Sequence, residues 1–401
     1  MALISVDEAL TRILAGVEPM EIETTTVATA HGRALAAPLA ATRTQPPFNA
    51  SAMDGYAVRA ADIASLPVRL RIVGTSAAGR RFRGYVGSGQ AVRIFTGAPV
   101  PEGADAIVIQ EHAVRSGDEV ELTDNRIDPG HIRPCGFDFV AGQTLLDASR
   151  PLNARGVALA AAMGHWQIPV RRRPRVAVMA TGDELVQPGV APGEDQIICS
   201  NAYGLAAMIA QAGGEALFIG IAADNRASLE GKLQEAHGAD VLVTTGGASV
   251  GEHDIVAPVL EGCGATLEFT AVAIRPGKPL LFGRLRGMRI LGLAGNPVSS
   301  LVCGRVFLVP LIRRMLGLEA LGFARARARL GAGMPANGAR QHYARAKLKP
   351  DDDRVLLAWP VRSQDSSLLF PLAEADALIV QPPNEPAWDA GREVDVLLLD
   401  F

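Results

Sequence analysis

Three glycine-bearing polar segments carry the residue types needed to hold a phosphorylated anion together with a divalent metal. They read Thr181-Gly182-Asp183-Glu184, then Thr245-Gly246-Gly247-Ala248-Ser249-Val250-Gly251-Glu252-His253-Asp254, then Ala294-Gly295-Asn296-Pro297-Val298-Ser299-Ser300. In the middle segment, Gly246-Gly247 lets the backbone approach a ligand, and Ser249 offers a hydroxyl. Gly251 then leads into Glu252 and Asp254 near a helix start, where N–H groups point outward. The plainer alternative is a glycine-rich turn with Asp254 as helix cap. In the third segment, Pro297 suits a first helical turn, leaving unpaired N–H donors beside Ser299 and Ser300 as an anion site. Simple capping by Asn296 is the alternative there.

Arg275-Pro276-Gly277-Lys278-Pro279 holds two cations on a loop kept off helix and strand by two prolines. Such a loop is either aimed at an anion or merely solvated. Asp183 and Glu184 follow a buried strand directly; one caps a helix, or the pair binds Mg²⁺, which takes one or two carboxylates plus phosphate oxygens. A metal there would polarise a phosphoryl oxygen. The chemistry indicated is phosphoryl or nucleotidyl transfer, with the substrate left open.

The elements that position these segments alternate strand and helix. Residues 176–180, 217–221 and 241–243 read as strands. Residues 201–211 (capped by Ser200 or Asn201), 227–237 and 255–260 read as helices. A hairpin turns at Arg286-Gly287, and a long helix runs over 297–316. This pattern predicts a doubly wound sheet over 173–318. Ligands bind outside the carboxyl ends of strands in such sheets, so the three loops are expected to converge.

Elsewhere, Ser5 and Glu8 are spaced as a capping box, with Val6, Ala9, Leu10, Ile13 and Leu14 on one helical face. A second helix over 154–163, closed by Gly164, is its expected partner, giving a discontinuous helical domain from 1–40 and 143–172. Alternation at 68–72 and 119–122, with a buried run at 106–109, predicts an inserted β domain over 41–142. Strands at 355–357, 377–380 and 394–399 predict a closing β domain over 319–401.

A chain of 401 residues exceeds one ordinary core. Its formal net charge of -3 gives no global attraction to nucleic acid or acidic membranes. The basic run Arg171-Arg172-Arg173 lacks interleaved aromatics and reads as a connector. Four dispersed cysteines (Cys135, Cys199, Cys263, Cys303) predict free thiols, and seven histidines without metal-site spacing argue against zinc. Asp7 and Glu8 stand where a signal peptide would be basic, and no apolar run approaches 18 residues. A soluble, cytoplasmic protein without nucleic-acid or membrane partners is expected.

Two more segments, 46–58 and 95–106, are too rich in turn formers for plain connectors. Ser51-Ala52-Met53-Asp54-Gly55-Tyr56-Ala57 and Thr96-Gly97-Ala98-Pro99-Val100-Pro101-Glu102-Gly103-Ala104-Asp105 occur in order with the glycine loops, Pro276-Gly277-Lys278-Pro279 and Gly295-Asn296-Pro297-Val298-Ser299-Ser300. Together they resemble the molybdopterin molybdenumtransferases, the insertases that include the C-terminal domain of gephyrin. The resemblance covers essentially the whole chain. It implies a multidomain α/β protein: a doubly wound molybdopterin-binding sheet, a discontinuous helical domain, an inserted β domain and a C-terminal β-barrel-like domain.

The implied activity uses adenylylated molybdopterin and molybdate, with Mg²⁺-dependent release of AMP and of molybdenum cofactor. It implies a homodimer with a composite site, and other cofactor-biosynthesis proteins as partners. Asp54, Thr96, Asp138, Glu184 and Asp254 match catalytic positions, with Asp54, Glu184 and Asp254 as metal ligands. Gly246, Gly247, Ser249, Arg275, Lys278, Asn296, Pro297, Ser299, Arg345 and Ser366 match substrate-binding positions. Arg275 replaces a common lysine, Asp365 beside Ser366 is unusual, and Asn49-Ala50 replaces Asp-Asn. The alternatives are a molybdopterin adenylyltransferase, and a non-catalytic scaffold of the same fold.

Overall fold

The protein, seen here as a computed structural model, is described over residues 3–148, 150–247, 255–320 and 325–399. Strand Arg175–Thr181 is apolar at nearly every position because both its faces are covered. Val176, Val178 and Ala180 enter one core, while Ala177 and Met179 enter another. The strand belongs to a six-stranded sheet ordered Glu215–Ala222, Arg175–Thr181, Val241–Thr245, Met288–Leu293, Pro279–Leu285, Thr266–Ala271. The first four run parallel and the last two are antiparallel additions. Helix Asn201–Gln211 and the run from Pro297 cover one face; Arg226–Glu235 and Val256–Gly262 cover the other. The sheet is doubly wound, as expected.

The long helix is not uniform. It runs as α-helix over Pro297–Cys303, widens to π over Gly304–Leu308 and resumes over Val309–Met315. Pro310 lacks an N–H and would clash with the carbonyl of residue 306 in a regular helix, which the local widening relieves.

The first helix, Val6–Leu14, is capped by Ser5 as the sequence indicates, but its expected partner is wrong. Val6, Ala9, Leu10 and Ile13 join the core of the doubly wound domain and face Val309–Met315. Arg289 donates to the carbonyls of Ile13 (3.2 Å) and Ala15 (3.0 Å), supplying acceptor-end partners from the sheet. Helical periodicity shows that a face is buried without saying against what. The discontinuous pieces are joined instead by strands: Ile22–Thr26 with Gln167–Arg171, and Leu39–Ala40 with Thr144–Leu146. Helix Ala154–Ala162 sits beside these in a separate small core.

The inserted region forms a second six-stranded sheet, ordered Ala106–Ile109, Gly55–Val58, Gln90–Ile94, Val68–Ser76, Glu119–Leu122, Ala113–Ser116. The C-terminal region closes on itself. Gln341–Pro350, Leu356–Pro360, Arg325–Leu330, Glu393–Leu398 and Ala377–Gln381 pair in sequence, and the last returns to the first as a five-stranded barrel. Ile274–Arg275, between two strands of the doubly wound sheet, adds to the barrel beside Gln341 and His342. One loop thereby belongs to both domains.

Candidate active site

A cleft of about 1000 Å³ opens where the parallel strands end and the barrel meets the sheet. Its floor is built from backbone. Gly246 takes φ 97°, and a Cβ there would lie 2.3 Å from the carbonyl oxygen of Thr181, so only glycine lets these two strand ends approach. Beside it the Thr181 hydroxyl is buried with no hydrogen-bond partner among the described residues.

The three strand-end segments converge as expected. Glu184, Gly246, Gly247, Asn296, Pro297 and Ser299 line the cleft, as do Arg275, Lys278 and Ser366. Ser249 and Asp254 lie outside the described residues. The two adjacent acids separate in role. Asp183 Oδ1 accepts from the Asp224 N–H at 3.0 Å, bracing the neighbouring strand end, while exposed Glu184 faces the cleft. Asp224 lines the cleft too. It follows strand Glu215–Ala222, so the strand-end rule would have found it.

Asn296 does not cap its helix. Its Nδ2 instead donates across to Ser366 Oγ at 2.9 Å, and the Val298 N–H donates to the Ser366 carbonyl at 3.1 Å. One N–H expected to be free for an anion is thus taken by the barrel. Ser300 Oγ lies 3.2 Å from Thr245 Oγ1, and Asn201 Nδ2 reaches both Thr245 Oγ1 (3.1 Å) and the Gly295 carbonyl (2.6 Å). Asn201, visible in sequence only as a helix start, ties the second and third loops together.

Arg345 does not line the cleft. It is 1% exposed, and its guanidinium donates to the carbonyls of Leu368 (2.8 Å), Ser363 (3.0 Å) and Asp365 (2.8 Å). Gln364 accepts from the Arg345 N–H at 2.9 Å and returns a bond to its carbonyl at 3.0 Å. Burial pushes this guanidinium down from its ordinary value. Its structural action is to shape the 363–368 loop, which presents Gln364, Asp365, Ser366 and Ser367 to the cleft. Asp365 is held below the usual carboxylate range by the N–H and then the hydroxyl of Ser367.

Asp54, Thr96 and Asp138 sit in the inserted region and are not among the cleft-lining residues of this chain. Two of them meet: Asp54 Oδ1 accepts from the Thr96 N–H and Oγ1, each at 2.8 Å. The N–H, then the hydroxyl, holds Asp54 below its ordinary range. Asp138 is exposed nearby in sequence to neither.

The cleft is electrically polar. Arg275, Lys278 and Arg340 bring positive charge, and Glu184, Asp224 and Asp365 bring carboxylates. His342, nearly buried beside Arg275, is pushed down to about 4 by burial and then by the neighbouring Arg275. It stays neutral at physiological pH. Among the described residues, no three His, Cys, Asp or Glu side chains cluster closely enough to hold a metal. No helix among them is long and apolar enough to cross a membrane.

Comparison with known proteins gives three matches in chain order. These are the MoeA N-terminal region (domain I and II) over residues 4–164, a probable molybdopterin binding domain over 177–314, and the MoeA C-terminal region (domain IV) over 327–399. A molybdopterin molybdenumtransferase of Nostoc sp. is 38% identical over 383 residues, spanning 92% of this chain and 87% of that protein. One from Bacillus subtilis is 34% identical, spanning 99% and 94%. The crystal structure of a molybdopterin biosynthesis MoeA protein from Pyrococcus horikosii superposes with a TM-score of 0.84 at 32% identity, covering 100% of both chains.

Proposed function

The chain belongs to the molybdopterin molybdenumtransferase family, enzymes of molybdenum insertion into molybdopterin, and from that premise we propose that its substrates are adenylylated molybdopterin and molybdate, with AMP released in a Mg²⁺-dependent step. The observation that carries this reading is the polarity of one cleft. Unpaired cations suit a dianionic oxometalate, and carboxylates at the other strand ends suit a metal bound to phosphate oxygens.

The donor set fits Mg²⁺, since Glu184 and Asp224 present hard carboxylate oxygens to the cleft. Glu184 would hold the ion, with Asp254 joining it. When bound, Mg²⁺ supplies charge neutralisation and polarises a phosphoryl oxygen. The chain's own groups do the rest. The Gly246-Gly247 backbone admits the phosphate-bearing substrate closely, and the orphaned Thr181 hydroxyl beside it offers a donor. Lys278 and Arg275 hold the oxyanion against Ser299. Arg345 positions Ser366 without touching substrate.

Asp54 keeps its charge because Thr96 donates twice to Oδ1, leaving Oδ2 as a carboxylate oxygen that would join the Mg²⁺ ligands. It lies outside the cleft of its own chain, so the reading requires a homodimer in which each inserted domain serves the other copy's cleft. Free cysteines throughout accord with work in the cytoplasm.

The test is incubation of purified protein with adenylylated molybdopterin, Mg²⁺ and molybdate, following AMP and molybdenum cofactor. Asp54→Ala and Glu184→Ala are expected to fold and release no AMP. Mixing the two variants is expected to restore partial turnover through heterodimers with one intact site. Full activity in both single variants would overturn the assignment; no recovery on mixing would overturn the composite site.

A further inference from the structure

No motif marks Arg93, yet it joins the strand ends around Asp54. It stands on strand Gln90–Ile94, directly opposite Tyr56 of strand Gly55–Val58, with Ile94 opposite Gly55. The two strands run antiparallel, so Asp54, just before one, and Thr96, just past the other, come to the same end of the sheet. Alternation along the chain puts Arg93 and Phe95 on one side, with Tyr56 across from Arg93. The half-buried guanidinium lies 4.7 Å from the Phe95 ring centroid and 5.2 Å from that of Tyr56. It thus stacks on one aromatic residue from each chain segment.

Its donors reach further. Nη1 donates to the Gly55 carbonyl at 3.1 Å, and Nη2 donates to Gln110 Oε1 at 2.7 Å. Gln110 follows the third strand, Ala106–Ile109, and its own N–H donates to the Asp54 carbonyl at 3.0 Å. The consecutive carbonyls of Asp54 and Gly55 are therefore held by Gln110 and Arg93, and those two donors are bonded to each other. Gly55 is itself pressed against the third strand, since a Cβ there would lie 2.1 Å from the Val108 carbonyl oxygen. A planar fork that also offers its face to aromatic rings meets all four partners at once. A lysine cannot.

Thr96 fixes Oδ1 of Asp54 with two bonds of 2.8 Å, and both residues ride on the segments that Arg93 ties together. We propose that Arg93 is a positioning residue for the reaction, locking three strand ends so that the Asp54–Thr96 pair presents Oδ2 in one orientation. The inference rests on Asp54 serving the partner copy's cleft. It goes beyond that reading by assigning the geometry of the pair to a side chain that acts through the backbone and through Gln110, without touching substrate.

Steady-state AMP release and amide hydrogen exchange of the full-length protein test it. Arg93→Met and Arg93→Lys are each expected to lower kcat about thirtyfold with KM within about twofold of the parent's, because a misplaced group costs rate rather than uniform binding. In the metal-free variants, exchange at the Thr96 amide, which donates to Asp54, is expected to quicken about tenfold. Gln110→Met, which removes one contact of the fork, is expected to lower kcat about threefold at the parent's melting temperature. Mixing Arg93→Met with Glu184→Ala is expected to restore turnover as Asp54→Ala does, and mixing it with Asp54→Ala is expected to restore none. That pattern places the defect in the inserted domain of a folded subunit. Where Asp54→Ala is inactive and complements Glu184→Ala, four results overturn the inference and spare the underlying reading: parent-like kcat in either Arg93 variant, a loss carried by KM alone, unchanged Thr96 exchange, or no recovery of Arg93→Met with Glu184→Ala. Full activity in Asp54→Ala, or no complementation by it, removes the underlying reading, and this inference with it.

Discussion

Asn296 and Ser366 lie 70 positions apart and meet through a 2.9 Å hydrogen bond from Nδ2 to Oγ, with Val298 donating to the Ser366 carbonyl alongside. The pair joins the start of the helix beneath the cleft to the barrel loop above it. Ser366→Ala removes the side-chain bond and keeps the backbone one. We expect a stability loss of about 1 kcal/mol, a severalfold rise in KM for molybdate and little change in kcat. Steady-state kinetics and thermal melting check both.

Arg345→Met leaves the carbonyls of Ser363, Asp365 and Leu368 without their buried donor. Loss of one member of such a network costs roughly 2–4 kcal/mol. Arg345→Lys should not restore it, because a compact ammonium cannot reproduce the guanidinium fork. Urea unfolding measures the cost, and limited proteolysis within 363–368 reports the loosened loop.

The doubly wound sheet was legible because its strands are short apolar runs and its loops carry glycine and polar residues at their ends. That same rule places Glu184, Gly246 and Ser299 in one cleft. Arg345 was assigned to an anion pocket through family resemblance, and its burial beneath the 363–368 loop is not visible in sequence. The strand that carries it, Gln341–Pro350, went unread although Ala344, Ala346 and Leu348, which face the barrel core, alternate along it with Arg345, Lys347 and Lys349. Asn296 looked like a helix cap by local position, yet its bond is to a loop 70 residues on. Asp54 and Thr96, 42 residues apart, were associated only through family resemblance, since no local pattern links them.

Gly277 adopts φ 97°, and a Cβ there would come 2.3 Å from Cys303 Sγ. Gly277→Ala should therefore cost about 1–3 kcal/mol and displace Lys278, raising KM for molybdate. Adding Cys303→Ala relieves the contact and leaves the backbone strain. Partial recovery in the double variant is the expected result; full recovery or none would contradict this division.

His342 gives a pH signature. Its pKa falls from an ordinary 6.5 to about 4 on folding, so between those values the unfolded chain binds more protons. Stability should be undiminished by this group above about pH 6.5 and lost progressively as pH falls towards 4, by about 3 kcal/mol in all. His342→Gln should flatten that part of the profile. Chemical denaturation across pH 4 to 7 provides the comparison.

The docking of Val6–Leu14 onto the doubly wound domain bears on where the polypeptide can be cut. A fragment beginning near residue 173 would contain every strand of that sheet, yet it would bare the apolar ground that Val6, Leu10 and Ile13 occupy. It would also strand Arg289, whose acceptors lie on the missing turn. Such a piece should self-associate unless residues 3–20 are supplied in trans, making the opening segment a built-in lid for a unit that begins some 150 residues downstream.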